Sequence, residues 1–186
     1  MPRLPHHRPL LSVLVFAMIA GVALAQDVTG TITARMGGVE RTWNTLGFDH
    51  PDGYQATASW SFLMDRFVSV SIQGHPGTSP QLEEALAIDV STFDGFPTDC
   101  PCRIQQADVM YWSTSSMFED VYIGTDAEVT FTVVEPLDDD TYRVEGSFSA
   151  TLAYQARLGG PLDEGGDVLA VDGTFTVESL PRREVE

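Results

Sequence analysis

The stretch from Ala127 to Leu180 constrains the fold most, because three consecutive segments within it alternate between apolar and polar residues. Val144-Glu145-Gly146-Ser147-Phe148-Ser149 is echoed by Val171-Asp172-Gly173-Thr174-Phe175-Thr176. Strand side chains alternate between faces. In each copy an apolar residue, a Gly and a Phe therefore face one way, while an acid and hydroxyls face the other. From Val144 the apolar set continues through Ala150, Leu152 and Tyr154, and Phe131 and Val133 supply a third row. The pattern predicts an antiparallel sheet with one buried and one solvated face.

The first 25 residues are set apart from this fold. Arg3 and Arg8 precede an apolar run from Leu10 to Ala23, and Ala23-Leu24-Ala25 has the small-x-small form of a cleavage site. This is a secretory signal peptide by pattern, with cleavage expected before Gln26. The apolar run is short for a membrane span, which needs roughly 20 residues. A secreted or periplasmic bacterial address is expected, with no transmembrane span in the mature chain.

That division changes the charge. The leader holds two of the ten arginines and none of the 27 acids, leaving eight Arg against 27 acids, a charge of −19 with His neutral. Lysine is absent. So acidic a surface repels nucleic acid and anionic membranes. Without lysine, Schiff-base catalysis is excluded.

Further strand patterns precede the closing sheet. Thr29 to Met36 and Val39 to Leu46 flank Gly37-Gly38, a tight-hairpin signal. Trp43 is expected to close one end of the core. Gly47 to Gly53 is expected to be a loop. Tyr54 to Leu63 and Phe67 to Gln73 suggest a second hairpin, turned at Met64-Asp65-Arg66. Leu82 to Val90 fits a helix or a strand, and its all-β surroundings favour a strand from about Ala85. Arg103 to Trp112 resembles a strand, followed by a polar connection over Ser113 to Asp120. Gly146 and Gly173 are expected to mark bulges or close sheet approach, or to leave room for Trp43 or Trp60.

The fold expected is therefore all-β, with residues 26–181 as a single domain after the signal peptide at 1–25, and 182–186 as a frayed end. Roughly nine strands suggest an antiparallel two-sheet sandwich, or alternatively an eight-to-ten-strand barrel. The paired G-[ST]-F-[ST] strands joined through an acidic turn resemble the ending of uncharacterised secreted β-sandwich proteins of bacteria. That group also carries an early G-x-x-W strand, matched here by Gly38 to Trp43 with different spacing. Many of its members are lipoproteins, and this chain lacks the lipidated Cys. The resemblance implies a sandwich fold and an extracytoplasmic address, and it carries no activity.

Few residues suggest chemistry. Cys100 and Cys102 flank Pro101 and are candidates for a local disulfide, structural or redox-active, for a soft-metal site, or for a disulfide between two chains. A metal would need further ligands, of which His75 is the candidate beside Cys100 and Cys102, with His50 the other mature imidazole. Asp138-Asp139-Asp140 and Asp163-Glu164-Gly165-Gly166-Asp167 could hold calcium, though neither has EF-hand spacing. No cofactor is expected beyond such a calcium or transition-metal ion. The nucleophile-elbow, zincin and phosphate-loop motifs are absent. Acid pairs such as Glu83-Glu84 and Glu119-Asp120 could flank a sugar bond. Tyr111, Trp112, Phe118 and Tyr122 crowd around the polar connection; they form a recognition surface if exposed and ordinary core if buried.

The function expected from these features is a non-catalytic binding or interaction module. Its partner would be a protein, a glycan or a small apolar ligand. A metal- or thiol-dependent protein built on the Cys-Pro-Cys turn is the alternative. A hydrolase on a β scaffold is a further one.

Overall fold

The computed structural model describes residues 26–184, apart from 52, 64–66, 94, 97–99, 105, 125–126 and 162–165. The expected signal peptide, the turn at 64–66 and the acids Asp163 and Glu164 lie outside the described residues. Twelve strands and no helix are found among those described: β1 Gln26–Met36, β2 Val39–His50, β3 Gly53–Ala56, β4 Ala58–Leu63, β5 Phe67–Gly74, β6 Leu86–Phe93, β7 Cys102–Ile104, β8 Gln106–Trp112, β9 Glu119–Gly124, β10 Glu128–Pro136, β11 Thr141–Arg157 and β12 Val168–Pro181. All their pairings are antiparallel and follow the order β3-β2-β1-β12-β11-β9-β8-β6-β5-β4, with β10 on β11 and β7 on β10.

The strand β11 makes the sheet fork. From Thr141 to Ala153 it lies along β12, while its other edge pairs first with β10 and then, from Ala153 onward, with β9. The arms fold over a common core containing Ile32, Trp43, Trp60, Val70, Ile88, Val109, Phe131, Phe148 and Phe175. The outcome is a single all-β domain of the sandwich type. Near the sheet's ends, Asn44 of β2 and His75 exchange backbone hydrogen bonds of 2.8 and 2.9 Å. That contact is one bridge and not a ladder, so the sheet does not close into a barrel.

The two echoed hexapeptides are direct neighbours. Gly146 stands opposite Phe175, and Phe148 stands opposite Gly173. A Cβ at Gly146 would strike the Phe175 ring, so this glycine leaves room for Phe175 and not for Trp43 or Trp60. At Gly173 a Cβ would strike Ala34 on β1, which makes this position one of close strand approach.

Local expectations fared unevenly. Gly37 and Gly38 both have positive φ, 57° and 84°, as a two-residue hairpin turn requires. The segment Leu82 to Val90 becomes strand from Leu86. The loop expected over Gly47 to Gly53 is instead mostly strand, because Gly47 to His50 pair with Ala56 to Gly53. The strand expected from Tyr54 to Leu63 breaks at Thr57. There the Leu46 amide donates to the Thr57 hydroxyl at 2.8 Å, and that hydroxyl donates to Gln73 O at 2.8 Å. The Thr57 amide and carbonyl bond to the same two residues. One residue thus passes the chain from pairing with β2 to pairing with β5. Arg182 and Arg183, expected in the frayed end, donate backbone hydrogen bonds to Asp140 and Trp60 at 2.7 and 2.6 Å.

Candidate functional site

Strand alternation puts Tyr111 and Tyr122 on one face and Trp112 on the other. On the inner face Leu86, Tyr111, Tyr122 and Tyr154 occupy directly opposed positions on β6, β8, β9 and β11. Ring centroids are 6.1 Å apart for Tyr111 and Tyr122, and 5.4 Å apart for Tyr122 and Tyr154. Tyr111 is buried, while Tyr122 and Tyr154 are half-buried.

Both ends of this tyrosine row are polar. Arg41 donates to the Tyr111 hydroxyl at 3.2 Å and to Glu84 Oε1 at 3.0 Å, with its guanidinium 5.9 Å from the Tyr111 ring centre. Burial raises the Tyr111 phenol above its ordinary pKa, and the nearby Arg41 cation opposes that rise. At the far end the Tyr154 hydroxyl donates to Asp120 Oδ1 at 2.5 Å. Glu84 and Asp120 each adopt left-handed backbone, with φ of 60° and 54°. Such conformations are costly for residues other than Gly and need support from their surroundings. The support is visible: Glu84 O accepts the Trp43 indole N–H at 2.6 Å, and Asp120 O accepts the Ser113 hydroxyl at 2.8 Å.

Trp112 lies on the outer face, buried with Ala85, Ala87 and Val121 beneath Leu82, Met110, Ile123 and Leu158. Its indole N–H donates to Met117 O at 3.3 Å. Met117 and Phe118 are 52% and 61% exposed, so the exposed aromatic of the connection is Phe118 and not Trp112. Tyr111 and Tyr122 are thus brought together, while Trp112 and Phe118 belong to a separate patch. Arg41, Asp120 and Tyr154 complete the row. The inward alternation of β11 marks Tyr154 in the sequence, but its register against Tyr122 is a long-range property.

One of the two cysteines, Cys102, lines a groove. Cys100 and Cys102 have Cα atoms 4.5 Å apart, and their sulfurs are in close contact. A groove of about 340 Å³ is lined by Ser91, Thr92, Phe93, Cys102, Arg103, Ile104 and Gln106. Arg103 is ion-paired with Glu128. Asp99 lies outside the described residues.

His75 is elsewhere, 2% exposed, with Nδ1 2.7 Å from Gln81 O. Its Nε2 is buried without a hydrogen-bond partner. Burial lowers its pKa, against the influence of the Gln81 carbonyl. Among the described residues no three His, Cys, Asp or Glu side chains converge as metal ligands would. His75 therefore does not join Cys100 and Cys102. The turn at Asp138-Asp139-Asp140 is used internally, because Asp138 Oδ1 accepts the Asp140 amide at 2.9 Å and Asp140 Oδ1 accepts from Arg182 at 3.2 Å. His50 ends β2 opposite Gly53.

No protein-family model, curated protein or solved structure matches the chain.

Proposed function

We propose that the chain is a non-catalytic binding module of the extracytoplasmic space, and that it takes a glycan at the tyrosine row. The observation that carries this is the arrangement of Tyr111, Tyr122 and Tyr154 in one line, with Arg41 and Glu84 at one end and Asp120 at the other. Sugars offer C–H faces that pack on aromatic rings and paired hydroxyls that suit carboxylates and guanidinium groups. The half-buried Tyr122 and Tyr154 supply the first kind of surface. Arg41 and Glu84, with side chains 37% and 51% exposed, and Asp120 supply the second. The compartment rests on the sequence of residues 1–25.

Calorimetric titration of the mature chain against a panel of neutral and acidic oligosaccharides tests this proposal. Binding is expected for at least one member, and Tyr122→Ala should weaken it by about tenfold or more, the loss of roughly 1.4 kcal/mol. Phe118→Ser, which takes no part in the tyrosine row, should leave it unchanged. A panel without binders would overturn the proposal. So would binding that Phe118→Ser removes and Tyr122→Ala does not.

A further inference from the structure

The groove beside the cysteine pair is walled by strand edges. β7, which carries Cys102, pairs with β10 alone among the described strands. On the opposite bank the register of β6 with β8 ends at Ser91 and Gln106, while β6 itself continues to Phe93. Backbone edges thus border the opening on both banks, a form that accepts an extended peptide. Phe93 is 59% exposed on its rim and rests against Phe67, with ring centroids 4.4 Å apart. Arg103 also lines the opening. Cys102 contributes to the lining and Cys100 does not.

We propose that this groove is a thiol–disulfide exchange site whose substrate is an extended protein segment bearing two thiols. Cys100 and Cys102, joined as a disulfide, are the oxidant, and Cys102 is the sulfur attacked. A substrate thiolate bonds to Cys102 Sγ, the bond between the two cysteines breaks, and Cys100 leaves as a thiolate that takes up a proton. The second substrate thiolate then attacks the substrate sulfur of the mixed disulfide and releases Cys102. The substrate loses two electrons and two protons and gains its disulfide, and the cysteine pair becomes a dithiol. Exchange requires access to the attacked sulfur, and of the two cysteines Cys102 is the one that lines the groove. The site is separate from the tyrosine row, so failure of either proposal leaves the other standing.

The test mixes protein purified without reductant with an equimolar reduced peptide, in which two cysteines flank an apolar extended stretch. Mass spectrometry follows both partners. The peptide is expected to lose two hydrogens as the protein gains two. Phe93→Ser should slow this transfer about tenfold, while Phe118→Ser, which is not part of the groove lining, should leave it unchanged. Presented with the oxidised peptide, Cys100→Ser, which keeps the groove sulfur, should accumulate a mixed disulfide, and Cys102→Ser should not. Equal trapping by the two single-cysteine variants would overturn the proposal. So would a rate indifferent to Phe93→Ser, or a protein isolated with both cysteines as thiols.

Discussion

At the scale of single residues, His75 carries the clearest energetic consequence. Its Nδ1 is satisfied by Gln81 O and its Nε2 is buried with no partner, so a proton added to Nε2 would place a cation where nothing accepts it. The folded pKa is accordingly below the ordinary 6.5. The unfolded chain then binds a proton that the folded chain refuses. Stability is therefore complete above about pH 6.5 and declines as the pH falls through that value toward the folded pKa. Melting temperatures measured between pH 7.5 and 5 are expected to decline in the native chain and to flatten in His75→Gln, whatever that variant costs at neutral pH. Parallel curves would show that His75 is not the titrating group. The same imidazole illustrates what sequence reading could reach. His75-Pro76 was visible as a loop entrance, but the strand that buries it is β2, brought alongside by the Asn44 bridge and not by anything local.

At the scale of elements, Thr57 is the device on which the sheet turns. Its hydroxyl and both backbone groups serve Leu46 on one strand and Gln73 on another. Thr57→Val keeps the shape and removes the hydroxyl, leaving one donor and one acceptor without their partner. A loss of about 2 kcal/mol is expected in chemical denaturation, given half-burial and the usual cost of unmade hydrogen bonds. A loss under a few tenths would mean that water replaces the hydroxyl. Alternation placed the core faces of β1, β5, β11 and β12 correctly because a half-buried strand must alternate. It failed on β10 after Phe131, where a bulge brings Val134 against the core in place of the expected Val133. Register was not legible. No feature near Thr57 announces a corner, and Tyr154 meets Tyr122 through a pairing that two distant segments must make jointly. The loop expected at Gly47 to Gly53 failed for a related reason, since glycine in that position gives space beneath the Tyr54 ring instead of ending the strand.

At the scale of the whole molecule, charge is the organising quantity. With eight arginines set against 27 acids, cations are scarce. Arg143 alone meets Glu135 at 3.6 Å, Glu178 at 3.0 Å and, more closely, Glu145, tying β10, β11 and β12 together across their solvated face. Such exposed pairs are weak singly and screened by salt. Repulsion among the excess acids is screened as well and outweighs them in number. The melting temperature is therefore expected to rise as potassium chloride increases from 0.05 to about 0.5 M. Replacing Arg143 with Met should lower it most at the low-salt end. A fall with salt in the native chain would mean that the arginine pairs dominate the balance.

The pairing of the two echoed hexapeptides has a consequence between molecules. Each copy presents a glycine where the other presents a phenylalanine, so the lock is reciprocal, and β12 of one molecule would fit β11 of another as well as it fits its own. β12 is the last strand in chain order, lies between β1 and β11 in the sheet, and follows β11 through a single connection. A chain met by a second copy while that strand is undocked thus offers it the same reciprocal fit that its own β12 fills.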